Sequence, residues 1–112
     1  MTDKIVILST CADEKEGEKL ARMLLEDHLA ACVTLFPQVR SYYHWEGTIE
    51  SGAECLLLIK SSRALFDAVK SRLQAAHSYD TPEILALPII EGSEKYMQWL
   101  ALNLRTGSEK DE

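Results

Sequence analysis

Little in this sequence is built for chemistry. It has three cysteines, Cys11, Cys32 and Cys55, an odd number with no CxxC pair. That pattern argues against a secreted disulfide framework and against a zinc knuckle, and buried free thiols are the expected reading. There is no Gly-rich phosphate loop, no GxSxG elbow, no HExxH helix and no internal repeat. There is no excess of positive charge either. Lys and Arg number 12 against 18 Asp and Glu, a formal net charge of -6. The basic residues are scattered rather than gathered into a phosphate-tracking stripe, so nucleic acid is not expected as a partner. The acidic surface is read as a source of solubility that also attracts cations. The apolar run near the start, KIVILS, is too short for a signal peptide or a membrane span, and no other window is long enough either. A soluble cytoplasmic protein without a membrane partner is the expectation.

What is present is a one-domain chain of 112 residues, 46% hydrophobic, enough for a packed core. The β-branched run Ile5 to Ser9, finished by Thr10 and Cys11, reads as a central strand. Asp13 followed by Glu16 fits a capping box, and Leu20, Ala21, Leu24 and Leu25 then share one stripe of a helix over residues 14–27. Cys32 to Phe36 reads as a strand. Pro37 marks a bulge, a bend or an unpaired edge, and Val39 to Trp45 resumes the strand. Glu46 and Gly47 make the turn, and Thr48 to Lys60 returns toward the core, with Gly52 offering a second place for a kink. Arms this long exceed the usual strand. Their outer halves carry Tyr42, Tyr43, His44 and Trp45, which a domain of this size has little means of covering. An aromatic arm lying on another subunit explains them better than a hairpin folded over its own sheet.

The next helix is expected to start at a Ser61 or Ser62 cap, to bury Leu65, Phe66, Val69 and Leu73, and to end near Ala76. HSYDTPEIL, from His77 to Leu85, follows. Pro82 disfavours helical geometry at Thr81, and Glu83 to Ile90 becomes the fourth strand, made irregular by Pro88. A last helix after Ser93 buries Tyr96, Met97, Leu100 and Leu104. The acidic residues 107–112 read as a disordered tail. The order β-α-β-β-α-β-α gives an α+β, ferredoxin-like split β-α-β sandwich with a long β-hairpin and an extra C-terminal helix.

The stretch STCADEKEGEKLARMLLEDHLAACVTLFPQVRSYYHWEGTIES, and later AAHSYDTPEILALPIIEGSEKYMQWL, resemble the CutA family, the divalent-cation tolerance proteins. The LAAC run, the YxWEG turn and the YxTPE joint occur in order from about Ile5 to Leu104, within a single domain set at residues 1–106. The resemblance implies a tight homotrimer whose hairpins pair across subunits, a cytoplasmic location and a link to copper or other divalent-metal tolerance. Some bacterial members are described as holding copper through a cysteine at the end of the first strand and a His-His pair before the YxTPE joint. Ser9 occupies that cysteine position here, with Cys11 two residues on, and Ala76 takes the place of the first histidine, leaving His77.

In this fold, strand four lies antiparallel beside strand one, which brings Cys11, His77 and Glu83 to the same sheet end. Thiolate and imidazole suit copper or zinc, and a carboxylate adds a harder oxygen. A weak metal site of Cys11, His77 and Glu83 is therefore one reading of HSYDTPEIL. The other is a structural joint, with His77 ending a helix, Tyr79 packing and Pro82 starting a strand. The functional expectation is a trimeric divalent-cation tolerance protein that binds copper or another divalent cation weakly and catalyses nothing. The alternatives are a small-molecule-binding regulatory module and a structural scaffold. A cysteine nucleophile at Cys11 would require an exposed, low-pKa thiol beside a base.

Overall fold

Alternation builds the first strand. In β1, Lys4–Cys11, the side chains of Ile5, Ile7, Ser9 and Cys11 turn to one side of the sheet and are buried there, as the two-residue period of a strand requires. A computed structural model describes residues 2–106, so the expected tail at 107–112 lies outside the described residues. Helix α1 follows at Glu14–Glu26. Asp13 caps it by accepting the Glu16 amide at 2.9 Å. Leu20 and Leu24 are wholly buried against the sheet, and each such leucine contributes roughly 1.5–3 kcal/mol of burial.

The hairpin arms are as long as expected. β2 spans Cys32–Trp45 and β3 spans Thr48–Ser62. They run in register from Cys32↔Lys60 to Trp45↔Thr48, with a shift between Phe36 and Val39. The irregularity therefore sits at Pro37, which has no amide to give the ladder, while Gly52 stays paired with Ser41. Glu46 and Gly47 both take positive φ, 48° and 83°, as a two-residue type I′ turn demands. The Thr48 hydroxyl ties the turn by donating to the Trp45 carbonyl at 3.0 Å.

A short 3₁₀ turn at Arg63–Leu65 leads into α2, Phe66–Ala76. The expected serine cap is not formed. Ser62 makes no side-chain capping bond, and the buried Ser61 hydroxyl instead donates to the Leu29 carbonyl at 2.6 Å. A buried hydroxyl takes whichever acceptor packing brings to it, and the loop after α1 supplies one. The fourth strand, β4, is shorter than expected, at Ile84–Pro88. Beyond it, single bonds continue the contact: the Ile89 amide donates to the Lys4 carbonyl at 3.1 Å. Helix α3, Glu94–Leu102, buries Leu100 fully, while Tyr96, expected inside, is 41% exposed and stacks on Trp99 with ring centroids 5.6 Å apart.

The sheet order is β2-β3-β1-β4, antiparallel throughout. This is the ferredoxin-like split β-α-β arrangement. Leu20, Leu24, Val69 and Leu73 from α1 and α2 pack with Ile7, Leu57 and Ile59 in a core on one sheet face. Among the described residues the opposite face carries part-exposed side chains and no helix. Register lines up Thr34, Leu58, Leu8 and Leu85 in one row across it and Cys32, Lys60, Val6 and Leu87 in the next. Leu85 and Leu87 are half exposed there, and Phe36, on the opposite edge strand β2, is 44% exposed. The hairpin projects past the sheet, and the chain measures 44 × 32 × 23 Å with a radius of gyration of 14.6 Å, against about 13 Å for a compact domain of this length.

Candidate functional site at the end of the first strand

The stretch HSYDTPEIL is knotted to the ends of β1 and α1 by Glu16. One carboxylate oxygen of Glu16 accepts from the Ala12 amide at 3.0 Å and from the Ser78 hydroxyl at 2.8 Å. The other accepts from the Ser78 amide at 2.7 Å. Glu16 thus completes half of the expected capping box one residue early and spends the rest of its capacity on a residue 62 positions away. Burial alone would raise its carboxyl, but the amides of Ala12 and Ser78 and the Ser78 hydroxyl outweigh that and hold it below its ordinary 4.5. A carboxyl depressed by folding adds stability above its unfolded value, and the addition is lost as pH falls through the folded value. Glu16→Gln is therefore expected to lower the unfolding midpoint by a constant amount at neutral pH. The gap to the parent should close below about pH 4.5. Denaturant melts across the acid range check this.

His77 caps the end of α2, its amide bonded to the Leu73 carbonyl at 2.9 Å. Its ring is closed to solvent. Nδ1 lies 3.0 Å from the Tyr79 amide, a group that only donates, so Nδ1 is the acceptor. Nε2 then carries the proton and donates to the Thr10 carbonyl at 2.8 Å. With both nitrogens engaged the imidazole is a neutral staple between β1 and the joint, and its 3.9 Å approach to Glu16 is not an ion pair. Tyr79 packs on the His77 ring, centroids 4.8 Å apart, and donates its hydroxyl to Glu54 at 2.7 Å. Burial, and then the Glu54 carboxylate, push that phenol well above its ordinary value.

Cys11, His77 and Glu83 do come to the same sheet end, since Ser9 pairs with Ile84. They do not face a common point. Cys11 is wholly buried on the helix side and donates to the Asp13 carbonyl at 3.4 Å. Burial, then Cys55 and Glu16, push its thiol up to about 12, far from the thiolate that metal binding or nucleophilic attack uses. Glu83 is exposed and, with Thr10, lines a cleft of about 900 Å³ between the hairpin and the joint. Tyr42, Tyr43, Trp45, Glu54 and Tyr79 also line that cleft. Among the described residues no three or more His, Cys, Asp or Glu side chains cluster closely enough to hold a metal ion. The Cys11, His77 and Glu83 set as it stands does not fit a bound copper or zinc ion. Ser9, at the position where the resemblance expects a ligand cysteine, is fully buried with its hydroxyl unpartnered.

The fold, the long hairpin and the stapled joint define a ferredoxin-like domain with an open sheet face and a carboxylate-lined cleft. Its sequence places it among known proteins. A family model described as "CutA1 divalent ion tolerance protein" matches residues 5–103, and the chain belongs to that family. It is 46% identical to the divalent-cation tolerance protein CutA of Pectobacterium atrosepticum over 94% of this chain and 96% of that one. It is 42% identical to the chloroplastic protein CutA of Arabidopsis thaliana over 90% of this chain, which spans 56% of that longer protein. The crystal structure of CutA from Xylella fastidiosa superposes with a TM-score of 0.90 at 38% identity, covering 93% of this chain and all of that one. The family is described by ion tolerance and not by a reaction.

Proposed function

We propose that this chain works as a cytoplasmic homotrimer in divalent-cation tolerance, without catalysis, and meets cations weakly at its carboxylate-lined cleft. The observation that carries the assembly is the open apolar face. Leu58, Leu8 and Leu85 form an apolar row across β3, β1 and β4, Val6 and Leu87 lie beside Lys60 in the next, and among the described residues no helix covers them. The exposed arm supports it, with Tyr42 at 71%, Trp45 at 60% and Ile49 at 71% exposure. Arm and sheet face are different surfaces. Contacts between them are heterologous and close only as a ring, and three is the number that the family resemblance implies. The free state of Cys11, Cys32 and Cys55 suits a reducing compartment.

The cation reading favours Glu83 over its two sheet-end neighbours. Glu83 is the one of the three open to the cleft, near Glu50, Glu54 and Asp80. Carboxylates suit hydrated, hard divalent ions, whereas Cys11 and His77 would first have to surrender hydrogen bonds. Zinc and anaerobic copper titrations of the parent, Glu83→Gln and the Cys11→Ala/His77→Ala pair test this. Weak binding reduced severalfold by Glu83→Gln and unchanged by the pair is the expected result. Loss confined to the pair would move the site to the thiol and imidazole. A small-molecule regulatory role is the second reading, favoured by the same cleft, whose Tyr42, Tyr43 and Trp45 rings offer stacking surfaces.

A further inference from the structure

Two thiols meet under the first turns of α1. Cys11 ends β1, Cys55 lies on β3, and the two are directly opposed across the antiparallel ladder. Both are fully buried and neither is bonded in a disulfide. Their sulfurs share one space: a Cβ built on Gly17 would stand 2.7 Å from Cys55 Sγ and 3.5 Å from Cys11 Sγ. The helix can come this close to the sheet because the residue above the thiols has no side chain. Each thiol lies close enough to shift the proton affinity of the other. Opposed residues in an antiparallel pair have Cα atoms about 4.5–5.5 Å apart, and a disulfide spans about 4.4–6.8 Å. The backbone is already at bonding distance.

We propose that Cys11 and Cys55 are a redox-modification site, a dithiol that closes into a cross-strand disulfide when a small neutral oxidant such as hydrogen peroxide reaches it. In the first step one sulfur, having given up its proton, attacks a peroxide oxygen. The O–O bond breaks, a sulfenic acid forms and the departing hydroxide takes the proton to leave as water. In the second step the other sulfur attacks the sulfenic sulfur. The S–S bond forms, the S–O bond breaks and a second water leaves. Two thiols lose two electrons and two protons, and the peroxide is reduced to two waters. Either thiol can take the first step, and its neighbour across the ladder then resolves. Burial makes the reaction slow and gated by opening of the first turn of α1, which sets it apart from the chemistry of an exposed sensor thiol. Cys32 plays no part. It pairs with Lys60 at the far end of the sheet.

The test uses the folded Cys32→Ser protein treated with hydrogen peroxide or diamide, then unfolded for thiol titration, intact mass and non-reducing peptide mapping. Both remaining thiols should disappear together, the mass should fall by two hydrogen atoms, and the peptides bearing Cys11 and Cys55 should be linked within one chain. Dithiothreitol should restore the thiols. With Cys55→Ser added, the lone Cys11 should lose no hydrogen pair. Persistent free thiols in the folded protein, a gain of oxygen atoms in place of the hydrogen loss, or linkage only between chains would each overturn the proposal. Parent protein alkylated at Cys32 while folded gives the same reading should the serine variant fold poorly.

Discussion

Leu58→Glu is expected to turn the proposed trimer into folded monomers. Leu58 lies at the centre of the helix-free sheet face, opposite Leu8 on one side and Thr34 on the other. In a lone subunit that face meets water, and a glutamate on a strand costs little there, on the scale of about 1 kcal/mol of strand preference. In a trimer closed over this face the same carboxylate is buried without a partner, at an effective cost of several kcal/mol per ion, and symmetry repeats it in every subunit. Far-UV circular dichroism should therefore stay that of the parent while the native mass falls to that of one chain. Retention of the parent mass would show that the face is not where subunits meet.

The second large effect is on stability. His77→Ala removes the donor to the Thr10 carbonyl and the acceptor for the Tyr79 amide and leaves a cavity where a fully buried ring stood. A buried backbone group left unsatisfied costs roughly 1–3 kcal/mol, so two such groups put the loss at about 2–4 kcal/mol even with some relaxation. At fixed protein concentration the melting midpoint should drop by on the order of 10 °C. A glutamine at His77 should recover only part, because one amide cannot easily place a donor and an acceptor as the two ring nitrogens do. An unchanged midpoint for the alanine variant would refute the staple. The predicted loss occurs without added metal, which separates this role from ligation.

Those two residues also mark where the sequence could and could not be read. Period and punctuation carried the fold. The alternation in β1, the leucine stripe of α1 and the Glu46–Gly47 turn each state a local geometry, and the order of elements then admits few topologies. That order also placed His77 beside the end of β1. It could not supply the direction of side chains at that end. Cys11 follows the strand's alternation under α1, while Thr10 turns to the cleft, so a set that shared a sheet end was divided between its two faces. The reach of Glu16 to Ser78 was hidden for a different reason. A capping-box glutamate is recognised by its three-residue offset, and nothing local reveals a second partner 62 positions on. Serine before a helix is a local signal for a cap at Ser61 or Ser62, but tertiary packing offers Ser61 the Leu29 carbonyl instead and leaves Ser62 without a capping bond. Tyr96 was expected inside from helical period alone, but the stripe it shares with Leu100 is wider than the core that α3 can reach.

The helix-free face and the aromatic arm support one account, in which the subunit is completed by its copies and the cleft takes its final shape between them. The free thiols, the stapled histidine and the exposed Glu83 are then features of a subunit whose cation contacts are shallow. Native mass spectrometry of the parent protein at low micromolar concentration tests the assembly most directly. A single species of three chains, persisting on dilution, is the predicted result. A stable monomer with Tyr42 and Trp45 still exposed to solvent would contradict it.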